Sequence, residues 1–183
     1  VAALPTHHLQ VAEIHGVEAL IAATDQFGAP GYRVMAARQD LGEVWGALRS
    51  AGESVGARLC GALALEATRV AMGVPRFGAE LDESVLFNEA GLATAVSFTK
   101  GCYLGQEVVE RVDARGNVAR RLLGLTLQDV QGPEGLPPVG SVVRNAKRKL
   151  GQLTSVTWLE ELDGAVAMGF VHRADNEPGT TLE

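Results

Sequence analysis

Four short runs of β-forming residues occupy the last third of the chain, and this pattern constrains the fold more than any other feature. The runs span residues 122–127, 141–144, 152–157 and 166–171, and Gly, Pro or charged turns separate them. Runs of this length and spacing are typical of antiparallel strands. The pattern therefore predicts a small antiparallel sheet or barrel at the C-terminal end of the chain.

The first part of the chain combines strand and helix patterns. Residues 8–14, 17–23 and 32–36 are rich in apolar and β-branched residues and predict three strands, although 17–23 is also compatible with a helix. A Gly/Pro-rich turn at residues 27–31 would reverse the chain before the third strand. The charge shifts from strongly acidic over residues 1–96 to nearly neutral over residues 97–183. This shift, together with the Gly/Pro-rich stretch at residues 131–140, indicates two structural units, and their strand and helix patterns predict an α+β fold.

Two helices are predicted after the third strand. Asp40 and Glu43 have the spacing of a capping box, and the helix that they open is expected to end at Gly52. A second helix is predicted over residues 61–72, before the turn that contains Pro75. The apolar positions expected to form buried faces are Leu41, Val44, Trp45 and Leu48 in the first helix and Leu59, Leu63, Ala67 and Val70 in the second.

The composition excludes several classes of protein. Hydrophobic residues make up 46% of the 183 residues, which is enough for an ordinary packed core. The formal net charge of −6 argues against a general nucleic-acid binder, and two cysteines are too few for a disulfide scaffold or a four-ligand metal site. No long apolar run and no signal peptide are present, so we expect no membrane segment. The low cysteine content indicates a reducing compartment, and we therefore expect a cytoplasmic protein. Because the chain begins with Val1 rather than Met, we expect it to be part of a longer protein.

The most unusual segment covers residues 99–107 and reads T-K-G-C-Y-L-G-Q-E. A helix predicted over residues 104–114 would place Cys102 near a helix N-terminus and beside Lys100. Both features favour the thiolate form of a cysteine. Cys102 is therefore a candidate functional thiol, and the alternative is a small buried residue, which is a common fate of a free cysteine. The positions expected to face inward on this helix are Val108, Val109 and Val112.

Arg69, on the second predicted helix, is another candidate. An arginine that projects from a helix can make a bidentate contact with the carboxylate of a ligand. The alternative is a surface ion pair with Glu66, which lies three residues earlier on the same helix. On the sequence pattern alone, the ion pair is the better interpretation.

The histidines and one basic run supply weaker candidates. His7 and His8 are adjacent and would face opposite sides of a strand, so they are not expected to bind one metal ion together. No metal site is predicted. Residues 144–149 include four basic residues, and we expect a solvated hairpin loop there, with contact to phosphate as the alternative.

Residues 100–107 resemble the K-G-C-[YF]-x-G-Q-E signature of the YgfZ family of folate-binding proteins, which belongs to the superfamily of the glycine-cleavage T-protein (GcvT, aminomethyltransferase). The resemblance extends to the helix and turn at residues 65–80, which end in G-V-P-R-F-G-A-E. Residues 119–125 and the G-x-[VL]-T-S run at residues 151–155 resemble the C-terminal barrel of the family. The eight-residue signature is specific, whereas the barrel motifs alone would be a weak signal.

The resemblance implies an α+β fold: a partial GcvT-like folate-binding domain followed by a small antiparallel β-barrel. Residues 1–97 would form the later part of the folate-binding domain. Residues 98–117 would form the signature loop and a connecting helix, and residues 118–183 an aminomethyltransferase-type barrel. Because the superfamily has three lobes, the N-terminal lobe would be missing from this chain.

The resemblance also implies a function. A YgfZ-like protein would bind tetrahydrofolate or a one-carbon folate derivative and support the assembly or repair of iron–sulfur clusters, with links to tRNA modification through cluster enzymes. Its partners would be folate and iron–sulfur proteins, and direct nucleic-acid binding is not expected. Cys102 would be the functional thiol. The residues implied for binding folate or shaping the loop around it are Arg69, Lys100, Tyr103, Gln106 and Glu107.

Two alternatives to this function stay open. The first is a tetrahydrofolate-dependent aminomethyltransferase. The T-proteins carry a T-G-E-x-G-[YF]-E turn whose glutamate binds the pteridine ring, and in the matching turn at residues 27–33 Ala29 takes the place of that glutamate. A methyl group cannot accept the N–H donors of the ring, which disfavours this activity. The second alternative is a non-enzymatic interaction module.

Overall fold

The computed structural model describes residues 4–27, 29–116, 118–175 and 177–183. The chain divides into two units, Val1–Leu65 and Glu66–Glu183. Each unit combines helical residues with an antiparallel sheet, so the predicted α+β class is confirmed. None of the described helices has the length and apolar composition that crossing a membrane requires. The domain boundaries after residues 97 and 117 remain predictions.

The first unit contains a three-stranded antiparallel sheet. Its strands are β1 (Leu9–Ile14), β2 (Val17–Thr24) and β3 (Gly31–Met35), and they are hydrogen-bonded in that order. The β1–β2 hairpin turns at His15 and Gly16, which both have positive φ, at 51° and 82°. Two consecutive residues with positive φ are typical of the tight turns that join antiparallel strands. All three predicted strands are confirmed, and residues 17–23 form a strand and not a helix.

The middle strand β2 shows the alternation expected of a strand with one covered face. Ala19, Ile21 and Ala23 are buried, and the residues between them are only partly buried. Side chains on alternate positions point to opposite faces of a sheet, so this pattern follows from the sequence. The turn predicted at residues 27–31 precedes β3, and one of its residues, Gly28, lies outside the described residues.

Two helices follow β3, and both were predicted with small errors at their ends. They are α1 (Leu41–Ser54) and α2 (Ala62–Ala71). Asp40 occupies the N-cap position of α1 but makes no side-chain capping hydrogen bond, so the predicted capping box is not formed. The helix also continues past Gly52, because a glycine ends a helix only where it adopts the left-handed conformation.

The predicted apolar faces of α1 and α2 are mostly exposed. Val44 is the buried residue of the described α1, and Arg69 and Val70 are the buried residues of α2. The prediction that the other positions are buried was wrong, because periodicity identifies an apolar face but not a neighbour that covers it. The large side chains concerned are Leu41 and Leu48, Trp45 at 55% exposure, Leu59, and Leu63 at 87%.

Helix α3 (Gln106–Arg115) begins two residues later than predicted. Gly105 is its N-cap with φ at 86°, and Gly116 ends it with φ at 63°. Both positions require the left-handed backbone that glycine adopts without strain. Val109 and Val112 are partly buried as expected, whereas Val108 is exposed, which corrects its predicted inward position.

The C-terminal strands form one antiparallel sheet in the order β4-β7-β6-β5. They are β4 (Arg120–Leu127), β5 (Val142–Arg144), β6 (Lys149–Leu159) and β7 (Gly164–His172). Every predicted strand of this region is therefore confirmed. The predicted runs are shorter than β6 and β7 at both ends. Lys149, Gly151, Gly164 and His172 take part in the ladder although their side chains have little β propensity, and β6 also continues through Trp158 and Leu159.

The core of the second unit lies on this sheet. Leu182 packs against that core, and the backbones of Glu183 and Arg144 exchange two hydrogen bonds of 2.7 and 2.8 Å beside the short strand β5. This pairing covers an edge that would otherwise expose unpaired N–H and C=O groups. The buried core residues are Val143, Leu150, Leu153, Ala167 and Val171.

Two glycines allow strands β6 and β7 to approach closely. A Cβ atom on Gly151 would lie 1.7 Å from the carbonyl oxygen of Phe170, and a Cβ atom on Gly169 would lie 2.7 Å from that of Gln152. Backbone atoms in a sheet cannot move away from such a contact without disturbing the ladder. The glycine of the G-x-[VL]-T-S motif is therefore required by the packing of the sheet.

We expect Gly151→Ala to lower the free energy of unfolding by about 3 kcal/mol, at the upper end of the usual cost of overpacking. Gly124→Ala is the matched control, because Gly124 lies in the same sheet and a Cβ atom there meets nothing within 4 Å. That control should change stability by no more than about 0.5 kcal/mol. Urea unfolding measures both, and equal stabilities would contradict the packing argument.

Candidate functional site

Arg69 lies in the last turn of α2 and is the centre of a buried polar cluster. The residue is only 4% exposed. Its five N–H donors all have partners within the protein. The acceptors are the carboxylate of Glu66 (3.0 Å from Nε), the carbonyl of Val74 (2.9 Å), the carboxylate of Glu80 (2.8 Å) and the hydroxyl of Ser155 (2.6 Å).

Glu80 is the second buried charge of this cluster, with a residue exposure of 1%. One carboxylate oxygen accepts from Arg69 and from the backbone N–H of Arg76 at 3.1 Å, and the other accepts from the hydroxyl of Ser155 at 2.5 Å. A buried carboxylate is tolerated only when it is paired and hydrogen-bonded. The turn at residues 73–80 supplies both conditions, because it brings Glu80 back over the end of α2.

Ser155 reaches the cluster because of a bulge in strand β6. Leu153 pairs with Gly169, and Ser155 pairs with the next residue, Met168, so Thr154 is an extra residue in the ladder. A bulge of this kind shifts the alternation of the strand and redirects the following side chain. As a result Leu153 and Val156, three residues apart, both contribute to the core of the sheet, whereas Ser155 is buried against Arg69 and Glu80. Thr154 donates a hydrogen bond to the Met168 carbonyl at 3.1 Å.

The charges of the cluster shift each other's protonation equilibria. The hydrogen bond from the Arg69 guanidinium, with its charge, holds the pKa of Glu66 below the ordinary value of 4.5, and the charge of Arg76 adds to the effect. The hydrogen bond to Glu66 and the charge of Glu80 in turn raise the pKa of Arg69. Both groups are therefore charged at neutral pH.

The structure corrects one interpretation of Arg69. The ion pair with Glu66 is present, but the guanidinium is buried and not on the surface. Its proposed contact with folate remains a prediction, and such a contact would have to displace a partner that Arg69 already has. Sequence reasoning missed Glu80 and Ser155, although both lie in the motifs G-V-P-R-F-G-A-E and G-x-[VL]-T-S.

The signature segment forms an exposed turn before α3. The Nζ atom of Lys100 lies 4.7 Å from the centre of the Tyr103 ring, which is a cation–π arrangement. Cys102 is exposed, so the alternative of a buried cysteine is wrong. The hydroxyl of Tyr103 is buried and has no hydrogen-bond partner among the described residues.

The beginning of α3 carries the last two signature residues. Gln106 donates from Nε2 to the carboxylate of Glu110 at 2.7 Å, which is a contact between successive turns of the helix. Glu107 is exposed in the first turn. Among the described residues, no hydrogen bond or ion pair joins this segment to the Arg69 cluster. The structure therefore brings Lys100, Cys102 and Tyr103 together but does not join them to Arg69.

The basic run at residues 144–149 forms the connection between β5 and β6, as expected of a hairpin loop. Asn145 accepts from the backbone N–H groups of Lys147 and Arg148, both at 2.9 Å. Arg148 pairs with Asp175, and Arg144 pairs with Glu183. These carboxylates neutralise two of the basic side chains. The described residues contain no cluster of three His, Cys, Asp or Glu side chains that could hold a metal ion.

The architecture described above is that of a known superfamily. The GCVT N-terminal domain matches residues 1–100, and the glycine cleavage T-protein C-terminal barrel domain matches residues 120–183. The chain therefore belongs to the glycine cleavage T-protein (GcvT) family. This result confirms the superfamily to which the signature segment and the barrel motifs pointed.

The relatives of the chain are longer proteins. Proteins named aminomethyltransferase are 27% identical in Halothermothrix orenii, 32% in Streptomyces avermitilis and 28% in Bacillus subtilis, over 98%, 91% and 98% of this chain. The matches cover 49%, 45% and 48% of those proteins, so the chain spans about half of their length. The crystal structure of glycine cleavage system aminomethyltransferase T from Bartonella henselae has the same fold, with a TM-score of 0.76 and 21% identity over 90% of this chain and 44% of that chain.

We expect Glu80→Gln to lower the free energy of unfolding by about 3 kcal/mol or more, because it leaves the buried Arg69 without its closest fully buried counter-charge. Ser155→Ala should cost about 1–3 kcal/mol, because it leaves buried groups without a hydrogen-bond partner. Glu83→Gln, at an exposed position three residues after the end of the turn, is the control. Urea titrations of the variants measure these differences, and a wild-type stability for Glu80→Gln would show that the cluster is not required.

The stabilisation by Glu66 should depend on pH. Because its pKa is lowered in the folded state, its contribution is complete above 4.5 and is lost as the pH falls through the folded-state pKa. Glu66→Gln should therefore lower the thermal midpoint at neutral pH, and the difference from wild type should shrink in acid. Glu83→Gln should show no such trend. A difference that stays constant well below pH 4.5 would contradict the ion pair with Arg69.

Proposed function

We propose that the protein containing this chain is a folate-binding protein that acts as the YgfZ family does, in the support of iron–sulfur cluster assembly or repair. Through the enzymes that carry such clusters, it would affect tRNA modification. We place it in the cytoplasm. The observation that carries the proposal is the exposed thiol of Cys102, within K-G-C-Y-L-G-Q-E, in a chain of the GcvT family.

The local structure around Cys102 suits a thiol that meets a partner. Lys100 is held over the ring of Tyr103, so a positive charge lies within two residues of the thiol. Gly105 adopts the left-handed conformation that lets the chain turn into α3. The thiol is thus exposed in a turn between Lys100 and Tyr103, just before the start of α3. A thiol that receives or transfers a cluster, or that a client protein contacts, needs this accessibility.

Some of the residues present suit a folate. The unpartnered hydroxyl of Tyr103 can donate to or accept from a ligand, and the exposed ammonium group of Lys100 can pair with a carboxylate. Gln106 stabilises the first turn of α3 through its hydrogen bond to Glu110, and Glu107 is exposed beside it, where a ligand can reach it. When bound, tetrahydrofolate would supply a carrier of one-carbon groups. The chain's own residues would bind and orient it, and Arg69 would contribute by fixing the position of α2.

Ala29 favours this proposal over aminomethyl transfer. The side chain is an exposed methyl group at the position where the T-protein turn carries the glutamate that binds the ring. A methyl group offers no hydrogen-bond acceptor, so the ring would lose one polar contact that fixes its orientation. Transfer chemistry needs a tightly oriented reactant, whereas binding of folate as a signal or a stabilising ligand tolerates the loss.

A tetrahydrofolate-dependent aminomethyltransferase is the second candidate. It is favoured by the names of the relatives and by the match of both T-protein domains to this chain. The two candidates share a ligand but differ in reaction. An interaction module without a ligand would differ from both in that it has no affinity for folate.

Two measurements on the full-length protein separate these functions. Titration with tetrahydrofolate should show binding that Tyr103→Phe weakens severalfold, whereas Tyr32→Phe, in the exposed part of β3, should leave it unchanged. The assay of tetrahydrofolate-dependent ammonia release from an aminomethylated carrier protein should show no turnover. Turnover would establish the transferase, and absence of folate binding would favour the interaction module.

The role of Cys102 is tested in cells that lack the protein. We expect Cys102→Ser to reduce the activity of an iron–sulfur enzyme, such as a cluster-dependent tRNA-modifying enzyme, to the level of the deletion strain. Cys60→Ser is the matched control, because Cys60 is the other free cysteine and is also exposed. It should restore full activity. Full activity with Cys102→Ser would contradict the functional thiol and would leave folate binding to be judged by its own titration.

A further inference from the structure

A cavity of about 320 Å³ lies within the second unit, at the C-terminal end of α3. Its size is at the lower end of the range of small-molecule sites. It is separate from the signature segment, which lies at the other end of α3. The described residues that line it are Asn88, Gly91, Ala93, Val112, Asp113, Gly116, Val118 and Arg121.

Asn88, one of the residues that line the cavity, has an unused hydrogen-bond acceptor. The Oδ1 atom of Asn88 is buried and accepts no hydrogen bond from the described residues. An unsatisfied buried oxygen is costly, and it calls for a donor that the protein does not provide. A ligand with an N–H group would supply that donor.

The end of α3 also lines the cavity and makes that part of the lining electrostatically negative. Val112, Asp113 and Gly116 form the last turn and the C-cap of the helix, where backbone carbonyls concentrate partial negative charge. The carboxylate of Asp113 adds a full negative charge, and no ion pair engages it among the residues that the structure describes. The donor that Asn88 lacks is therefore expected to be a cation, such as an ammonium group.

Arg121 brings the opposite charge to the lining. Its neighbour Arg120 is paired with Glu89 at 3.2 Å, whereas within the described part of the chain Arg121 has no ion-pair partner and does not pair with Asp113. The guanidinium group is suited to bind a carboxylate. Between these charges, the side chains of Ala93, Val112 and Val118 provide apolar surface.

We propose that this cavity is a binding site for a small zwitterion with an apolar side chain, of the size of a free aliphatic amino acid. The ammonium group would contact Asn88 and Asp113 at the end of α3, and the carboxylate would contact Arg121. The site is independent of folate and of Cys102. The inference therefore stands or falls separately from the proposed function.

Three probes with the same branched side chain test the site by isothermal titration calorimetry of the full-length protein. They are L-leucine, 4-methylpentanoate, which lacks the ammonium group, and 3-methylbutylamine, which lacks the carboxylate. We expect L-leucine to bind about tenfold more tightly than either partial ligand, because one charged hydrogen bond strengthens binding by a factor of about ten or more. No binding of L-leucine, or equal binding of the three probes, would overturn the proposal.

Variants then assign each charge to its residue. Arg121→Gln should weaken L-leucine and 4-methylpentanoate but not the amine. Asp113→Asn and Asn88→Leu should weaken L-leucine and the amine but not 4-methylpentanoate. Asp113 is exposed, so its variant keeps the test valid even if Asn88→Leu does not fold. Arg111→Gln, on the exposed surface of α3 outside the cavity, is the control and should change nothing. Any other pattern would place the binding elsewhere and overturn the assignment.

Discussion

The buried ion pair between Arg69 and Glu80 is the interaction on which the second unit depends. Neither charge can remain in the interior without the other, because an isolated buried ion is destabilising by several kcal/mol. Glu80 can reach Arg69 only if the turn after α2 folds back, and Ser155 can bridge them only if β6 contains its bulge. One electrostatic requirement therefore fixes the end of a helix, a turn and the irregularity of a strand.

The two sequence motifs that accompany the signature segment now have a physical explanation. In the turn of residues 73–80, the closing glutamate is a buried counter-ion and not a surface residue. In residues 151–155, the glycine permits the close approach of two strands, the threonine is the extra residue of the bulge, and the serine completes the cluster. These two motifs therefore stabilise the fold, whereas the signature segment forms an exposed turn.

Most elements were predictable from the sequence, because local alternation and helical periodicity are sufficient to identify them. The strands of both sheets and all three helices fall within a few residues of their expected positions. The burial of helix faces was not predictable in the same way, and Leu63 shows why. Its periodic position predicts a buried side chain, but burial depends on a neighbour that the local pattern does not reveal.

The same limit applies to the candidate site: its local features could be predicted from the sequence, and its long-range contacts could not. The exposure of Cys102 and the turn around it follow from a short, local motif, so this part could be anticipated. The partners of Arg69 could not, because Ser155 lies 86 residues away in sequence and the shift of register that directs it inward arises from the pairing of two strands. An arginine beside a glutamate on a helix predicts a pair, but nothing local predicts that the pair is buried.

The separation of these residues along the chain has a consequence for folding. Arg69 and Glu80 are 11 residues apart and can meet early, whereas Ser155 and the covering strand must arrive from 75 or more residues away. Until β6 and β7 assemble, the Arg69 guanidinium is more stable in water than in the interior. A partly assembled sheet that encloses this charge is therefore not stabilised by doing so. Intermediates in which α2 packs on an incomplete sheet are thereby disfavoured, and the second unit is expected to gain its order in a single cooperative step.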